Sequence, residues 1–201
     1  MTLHLGGTII ALAVGGGYLL GSIPFGLVLT RLAGLGDIRA VGSGNIGATN
    51  VLRTGRKGLA AATLILDAAK GAAAVLLALT LAGREAALIA GLFAVLGHNF
   101  PVWLHFKGGK GVATTLGTLI AVAWPVGVGA CLTWIAVAVL FRLSSLAALA
   151  ALGLAPLYAY ALGDDPAAIL ALILGALGFA RHHQNIRRLL KGEEPRIGRK
   201  A

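Results

Sequence analysis

Residues 59–66 and 169–180 are apolar without the polar stripe that a water-facing amphipathic helix shows. This feature most constrains the fold, because a soluble domain of 201 residues needs polar faces on its helices. Composition agrees. Only 12% of residues are charged and 58% are hydrophobic, against roughly a quarter charged in ordinary soluble domains. The thirty glycines lie largely inside apolar stretches, where small residues let membrane helices approach closely. Lipid is the expected solvent.

Crossing the hydrocarbon takes about 20 apolar residues, fewer where a helix is tucked within the protein. Seven candidate spans follow, at 5–30, 58–82, 86–104, 111–123, 125–141, 145–162 and 166–181. The fourth and fifth are short and meet at Trp124-Pro125. Lipid excludes open sheet edges, and the spans lack barrel-type alternation. The expected fold is therefore an all-α integral membrane protein, one polytopic domain over residues 1–201 built as a bundle of seven transmembrane helices. The first apolar stretch lacks a basic leader, so a retained span is expected there rather than a cleaved signal.

Charge distribution gives the topology. With seven spans, loops 31–57, 105–110 and 142–144 and the C-terminal tail share one side, and that side holds every Lys and Arg except Lys70 and Arg84, 15 of the 17. Basic loops stay cytoplasmic, which places the N-terminus outside and the C-terminus in the cytoplasm. Fusing the fourth and fifth spans would destroy this agreement. The expected location is a bacterial inner membrane with the site toward the cytoplasm. A net charge of +10 suits lipid headgroups or an anionic substrate, and no nucleic-acid partner is expected.

Three basic-side segments carry candidate chemistry. The first reads Gly42-Ser43-Gly44-Asn45-Ile46-Gly47-Ala48-Thr49-Asn50 with Arg53 beyond. Its glycines let backbone N–H groups face an anion. The run fits G-x-G-x-x-G, but a membrane span precedes it where a dinucleotide site needs a strand. The second segment holds Lys107-Gly108-Gly109-Lys110 at a helix start, where N–H groups, ammonium charge and the helix dipole can hold phosphate. An anchor against anionic headgroups explains the two lysines equally well, and this is no Walker A loop. In the third, His182 and Asn185 would share one face if the helix continues, with His183 pointing elsewhere. Arg187, Arg188 and Lys191 suit membrane anchoring. Asp67 and Lys70 lie three apart inside the second span and can neutralise each other. Single Cys131 and the two adjacent histidines make no metal site, so no cofactor or metal is expected.

In order and along nearly the whole chain, these segments resemble the PlsY family of bacterial membrane acyltransferases. Gly21-Ser22-Ile23-Pro24 leading to Gly42-Ser43-Gly44-Asn45 and Arg53 is similar to its first motif, Gly97-His98 through Lys110 to its second, and Arg181-His182, Asn185-Ile186 and 192–194 to its third. The resemblance implies acyl transfer from acyl phosphate to the sn-1 hydroxyl of glycerol 3-phosphate, giving lysophosphatidic acid and inorganic phosphate in phospholipid biosynthesis. It implies catalytic roles for Ser43, Arg53, His182 and Asn185, and glycerol 3-phosphate binding by Lys107, Gly108, Gly109 and Lys110, while the glycine-rich run itself makes Gly42, Gly44, Asn45 and Thr49 the expected phosphate-binding residues of the first loop. Partners would be these two substrates and membrane lipid.

The residues fit that chemistry. An acyl phosphate already carries a good leaving group, so cationic and N–H donors suffice without a covalent intermediate. No H-x₄-D pair is present. A transporter would require polar groups facing one another deep in several spans and internal symmetry, neither of which is legible. A scaffold would leave the polar residues of 42–53 unexplained, and no aspartate cluster supports a metal-dependent CDP-alcohol transferase.

Overall fold

The structure, a computed structural model, describes residues 6–198; Leu5 of the first expected span and Arg199 and Lys200 of the basic tail lie outside the described residues. The described chain is helical, without strands. Helices α1 (Gly7–Gly21) and α2 (Phe25–Leu32) together form the first span. They are interrupted at Ser22-Ile23-Pro24, because Pro24 lacks an N–H and disfavours helical backbone at Ile23. After α3 (Ala48–Leu52) comes α4 (Lys57–Asn99).

As a straight rod, the 43 residues of α4 would reach about 65 Å at 1.5 Å per residue, roughly twice the hydrocarbon thickness. Gly83 prevents this. Its φ of 84° and ψ of −174° break the helix in a conformation that favours glycine. Val75 Cγ2 lies 2.9 Å from where a Cβ on Gly91 would sit, and His98 Nδ1 is 3.7 Å from Asp67 Oδ1. Residues 57–82 and 84–99 are therefore antiparallel limbs of a hairpin. The expected third span, 86–104, ends as a helix at Asn99, and Val102–Leu104 is a 3-10 turn behind Pro101.

The Trp124-Pro125 junction also separates two helices, α5 (Val112–Val122) and α6 (Trp124–Phe141). Ala123 has φ −151° and ψ 88°, and a Cβ on Gly127 would meet the Ile120 nitrogen at 2.4 Å, so the chain doubles back. Helices α7 (Ser144–Ala161), α8 (Asp165–Arg181) and α9 (His183–Leu190) complete the described fold. All seven apolar segments are thus found as helices. Four units are long and apolar enough to cross a membrane on that criterion alone, five with α8 and α9 taken together across their 65° bend. The difference from seven arises because the α4 hairpin counts once, α5 is short at 11 residues, and α8 at 17 residues qualifies only together with α9.

Small residues make the bundle close-packed. A Cβ on Gly17 would lie 2.4 Å from the Ala90 carbonyl oxygen, and one on Gly21 would lie 2.0 Å from that of Ala94. The rising order of these pairs shows that α1 runs parallel to limb 84–99. Ala151, Ala155 and Ala159 of α7 are buried with Ala167 and Ala171 of α8. Large apolar side chains lie outside instead: Leu81, Val139 and Leu140 are 83%, 73% and 74% exposed. Lipid as solvent accounts for that inversion, since apolar surface gains nothing by leaving it.

Candidate active site

Asn50 organises the first loop. Its side chain is 1% exposed, and its Nδ2 donates to the carbonyls of Ile38, Val41 and Asn45 at 3.0, 2.9 and 2.8 Å. Its Oδ1 accepts from the Ser43 N–H at 3.0 Å, from Ser43 Oγ at 3.3 Å and from Arg53 Nη1 at 3.4 Å. One amide therefore folds the loop and presents Ser43 beside Arg53. Gly42 has φ 57°, and a Cβ there would meet Asn50 Oδ1 at 2.6 Å, so glycine is required twice over. Asn45 Oδ1 accepts from Gly47 N–H at 2.9 Å. Thr49 ties the loop to α7 through Ser144, with 3.2 Å between hydroxyls.

The second loop is fastened backward onto α4. Gly108 N–H donates to Asn99 O at 3.2 Å and Gly109 N–H to His98 O at 3.0 Å. Arg181 at the end of α8 donates to the Gly108 and Gly109 carbonyls at 3.0–3.1 Å and lies 5.1 Å over the Phe100 ring. The two glycine N–H groups expected to face phosphate are thus already satisfied within the protein. Lys110 is what the loop presents. Its Nζ donates to Asn185 Oδ1, and burial, only partly offset by Glu194 and reinforced by Arg188, Arg53 and Arg181, lowers its pKa to about 8.

The third segment turns rather than continuing straight. At the 65° bend between α8 and α9, His182 is buried and its Nδ1 lies 2.7 Å from Gly178 O. A carbonyl only accepts, so Nδ1 carries the proton and the neutral ring has its lone pair on Nε2. Asn185, also buried, donates from Nδ2 to Glu194 Oε1 at 2.6 Å, and Arg188 Nε donates to Glu194 Oε2 at 2.6 Å. Burial pushes the Glu194 carboxyl up, but hydrogen bonds led by Asn185 outweigh it and hold it below its usual range.

These three segments meet around a cavity of about 380 Å³ whose wall includes Gly42, Ser43, Gly44, Asn45, Arg53 and Lys110, together with Arg181, His183, Gln184, Arg188 and Pro195. Of the residues singled out in the sequence, the first six line it directly. His182 and Asn185 stand behind the wall, and Asn185 acts on it through Lys110. Thr49, Lys107, Gly108 and Gly109 are not part of the lining. His182 and Asn185 are both buried on one side, and His183 points elsewhere, into the cavity wall; the helix does not continue straight through His182 as expected but bends there. Asn50 and the Arg181 clamp were not legible as site residues. Arg188, which suited an anchor, stands in the wall. Among the described residues no group of His, Cys, Asp and Glu is arranged to hold a metal ion.

Comparison with known proteins gives the family. Residues 10–192 match the family model described as glycerol-3-phosphate acyltransferase. The chain belongs to the PlsY family of glycerol-3-phosphate acyltransferases. It is accordingly a membrane-embedded acyltransferase of phospholipid synthesis. It is 64% identical over 185 residues to the glycerol-3-phosphate acyltransferase of Paramagnetospirillum magneticum, covering 92% of each chain. The Rhodospirillum rubrum relative is 63% identical, with 92% of this chain and 89% of the relative covered. Among solved structures, PlsY, an integral membrane glycerol 3-phosphate acyltransferase, superposes in its glycerol 3-phosphate form with a TM-score of 0.89 at 42% identity, over 94% of this chain and 96% of that one. Its lysophosphatidic acid form gives 0.87 at 40% identity, over 94% and 95%.

Proposed function

We propose that this enzyme transfers a fatty acyl group from acyl phosphate to the sn-1 hydroxyl of glycerol 3-phosphate, giving lysophosphatidic acid and inorganic phosphate. The observation that carries the reading is the cavity wall itself, where Arg53, Lys110, Arg181 and Arg188 surround a space bordered by Ser43 and glycine backbone. Such a wall suits phosphate groups. That two PlsY structures are glycerol 3-phosphate and lysophosphatidic acid forms supports the acceptor and product, while the donor rests on the chemistry. In the proposed step the sn-1 oxygen attacks the acyl carbonyl and the carbonyl carbon to phosphate oxygen bond breaks. The hydroxyl proton passes to a phosphate oxygen, and phosphate leaves.

Ser43 and Arg53 receive the acyl phosphate, with the N–H groups near Gly42, Gly44 and Asn45 available to its oxygens and Thr49 holding the loop to α7. Lys110 binds the acceptor phosphate. Gly108 and Gly109 set its height, and exposed Lys107 adds long-range attraction. His182 and Asn185 orient these groups from behind. No acyl-enzyme on Ser43 is needed. The convergence of loop 31–57, loop 105–110 and the end of α8 on one cavity is the relationship seven crossings produce. Because the side of that cavity carries the basic loops, which stay cytoplasmic, our reading is an N-terminus outside, a C-terminus and site in the cytoplasm of a bacterial inner membrane, residues 1–201 as one domain, and lipid, not nucleic acid, as its surroundings.

The test is to purify the protein in detergent or lipid and supply glycerol 3-phosphate with acyl phosphate, then separately with acyl-CoA. Lysophosphatidate and stoichiometric phosphate are expected with the first donor alone. Product only with acyl-CoA would overturn the donor, and product with neither would overturn the reaction.

A further inference from the structure

Three titratable side chains lie deep in the bundle and take no part in the proposed step. Asp67 is 2% exposed, Lys70 2% and His98 4%. Lys70 Nζ is 2.8 Å from Asp67 Oδ1 and donates to Ile23 O at 2.7 Å, at the break between α1 and α2. Asp67 Oδ1 in turn faces His98 Nδ1 at 3.7 Å, and neither of these two atoms has a hydrogen-bond partner of good geometry. Burying charged groups is costly, and a self-neutralising pair with no further task is readily replaced by apolar residues. The other side of the His98 ring explains what the group does.

The ring is the floor of the glycine loop. The three atoms nearest to a Cβ placed on Gly109 all belong to the His98 imidazole, with Nε2 at 2.0 Å and Cδ2 and Cε1 at 2.9 Å. Gly109 also donates its N–H to His98 O at 3.0 Å, so the loop rests on both backbone and ring of one residue. The next residue is Lys110, in the cavity wall. We infer that His98 is a positioning residue, braced from below by Asp67 and Lys70, that fixes the height of the Gly108–Gly109 segment and thereby the position of the Lys110 ammonium at the acceptor phosphate. The inference rests on the function proposed above. It makes the glycine at 109 a consequence of the histidine at 98.

A size exchange tests this. Gly109→Ala should weaken glycerol 3-phosphate at least tenfold, in both calorimetric binding and KM, with kcat at saturation within about threefold of wild type. His98→Ala, which removes the floor, should weaken it similarly. In the double variant the new methyl occupies space the ring vacated, so binding should return at least fivefold relative to Gly109→Ala. A double variant as weak as the two single losses multiplied together would overturn the inference. If Gly109→Ala alone gives no folded protein, recovery of folded, binding-competent protein in the double variant carries the same weight, and an equally unrecoverable double variant overturns it. Asp67→Asn tests the brace: KM for glycerol 3-phosphate should rise threefold or more with kcat within twofold, whereas no change, or equal loss of both affinity and kcat, would overturn it. Wild-type protein that binds neither glycerol 3-phosphate nor inorganic phosphate overturns the functional reading and the inference together; normal wild-type binding with unaltered variants overturns the inference alone.

Discussion

Lys110 and Asn185 are joined side chain to side chain across 75 residues of sequence, the ammonium donating to the amide oxygen. The same amide donates to Glu194, which also receives Arg188. This short network sets the direction in which a cavity-lining cation points. Asn185→Ala removes both ends of the amide at once. Hydrogen bonds to charged groups contribute about 1.5–3 kcal/mol, so kcat/KM should fall roughly 10- to 150-fold. Asn185→Asp should not restore it, because a carboxylate beside Glu194 repels where an amide donates. Steady-state kinetics on the two purified variants decide this.

Lys110 also predicts an alkaline limit. With its pKa lowered to about 8 by burial first of all, it is charged below that pH and loses its charge as pH rises through it. In the proposed site the ammonium holds the acceptor phosphate, so KM for glycerol 3-phosphate should climb above pH about 8, by up to tenfold per unit for a single group. Lys110→Arg keeps its charge throughout, and its KM should lose this alkaline rise while starting higher. Stability follows the opposite sign. Between about 8 and the unfolded value of 10.5, the unfolded chain holds more protons, so the unliganded protein gains stability as pH rises across that window. A thermal-unfolding series from pH 7 to 11 without substrate should show this as a rising contribution absent from Lys110→Arg.

Asn50 is expected to matter as much as the residues it holds. Replacing it by Ala takes its two amide hydrogens from the buried carbonyl of Ile38 and the half-buried carbonyls of Val41 and Asn45 that share them, at about 1–3 kcal/mol for a buried group left unsatisfied. Ser43 and Arg53 lose their common acceptor as well. Activity should fall at least a hundredfold, and the loss should scarcely deepen when Ser43→Ala is added, because both changes disable one unit. A double-mutant cycle in kcat/KM measures that coupling, and additive losses would contradict it.

The sequence of Asn50 shows why some of this was readable and some was not. Apolar length located the helical segments, because lipid imposes its rule on each segment separately. The composition of residues 42–53 likewise marked a polar loop apart from the spans, and part of that loop lines the cavity. Nothing local, however, tells which amide of that run turns inward to hold the others. The placing of His182 behind the cavity wall and of His183 in it goes with a 65° bend that no spacing rule encodes, and the grip of Arg181 on Gly108 and Gly109 joins segments more than 70 residues apart. The pairing of Asp67 with Lys70 was legible from their i, i+3 spacing within one span, and the structure shows it at 2.8 Å. His98 meets that pair only because Gly83 folds α4 back on itself.

The packing of α1 on α4 gives a final prediction with its own control. At Gly21 the three atoms nearest to an added Cβ all belong to the Ala94 backbone, at 2.0, 2.5 and 2.6 Å, and backbone in the middle of a helix cannot step aside as a flexible side chain can. Gly21→Ala must push α1 away from limb 84–99, loosening the nearby bond from Tyr18 to Phe100 O at 2.7 Å. Overpacking of this kind costs about 1–3 kcal/mol. Gly15, in the same helix, has nothing within 4 Å of an added Cβ, and Ala there gains up to about 1 kcal/mol of helix propensity. Thermal unfolding in detergent should therefore give a lower Tm for Gly21→Ala and an equal or higher one for Gly15→Ala. Two identical substitutions six residues apart then move stability in opposite directions, and equal shifts would refute the close approach of α1 to Ala94.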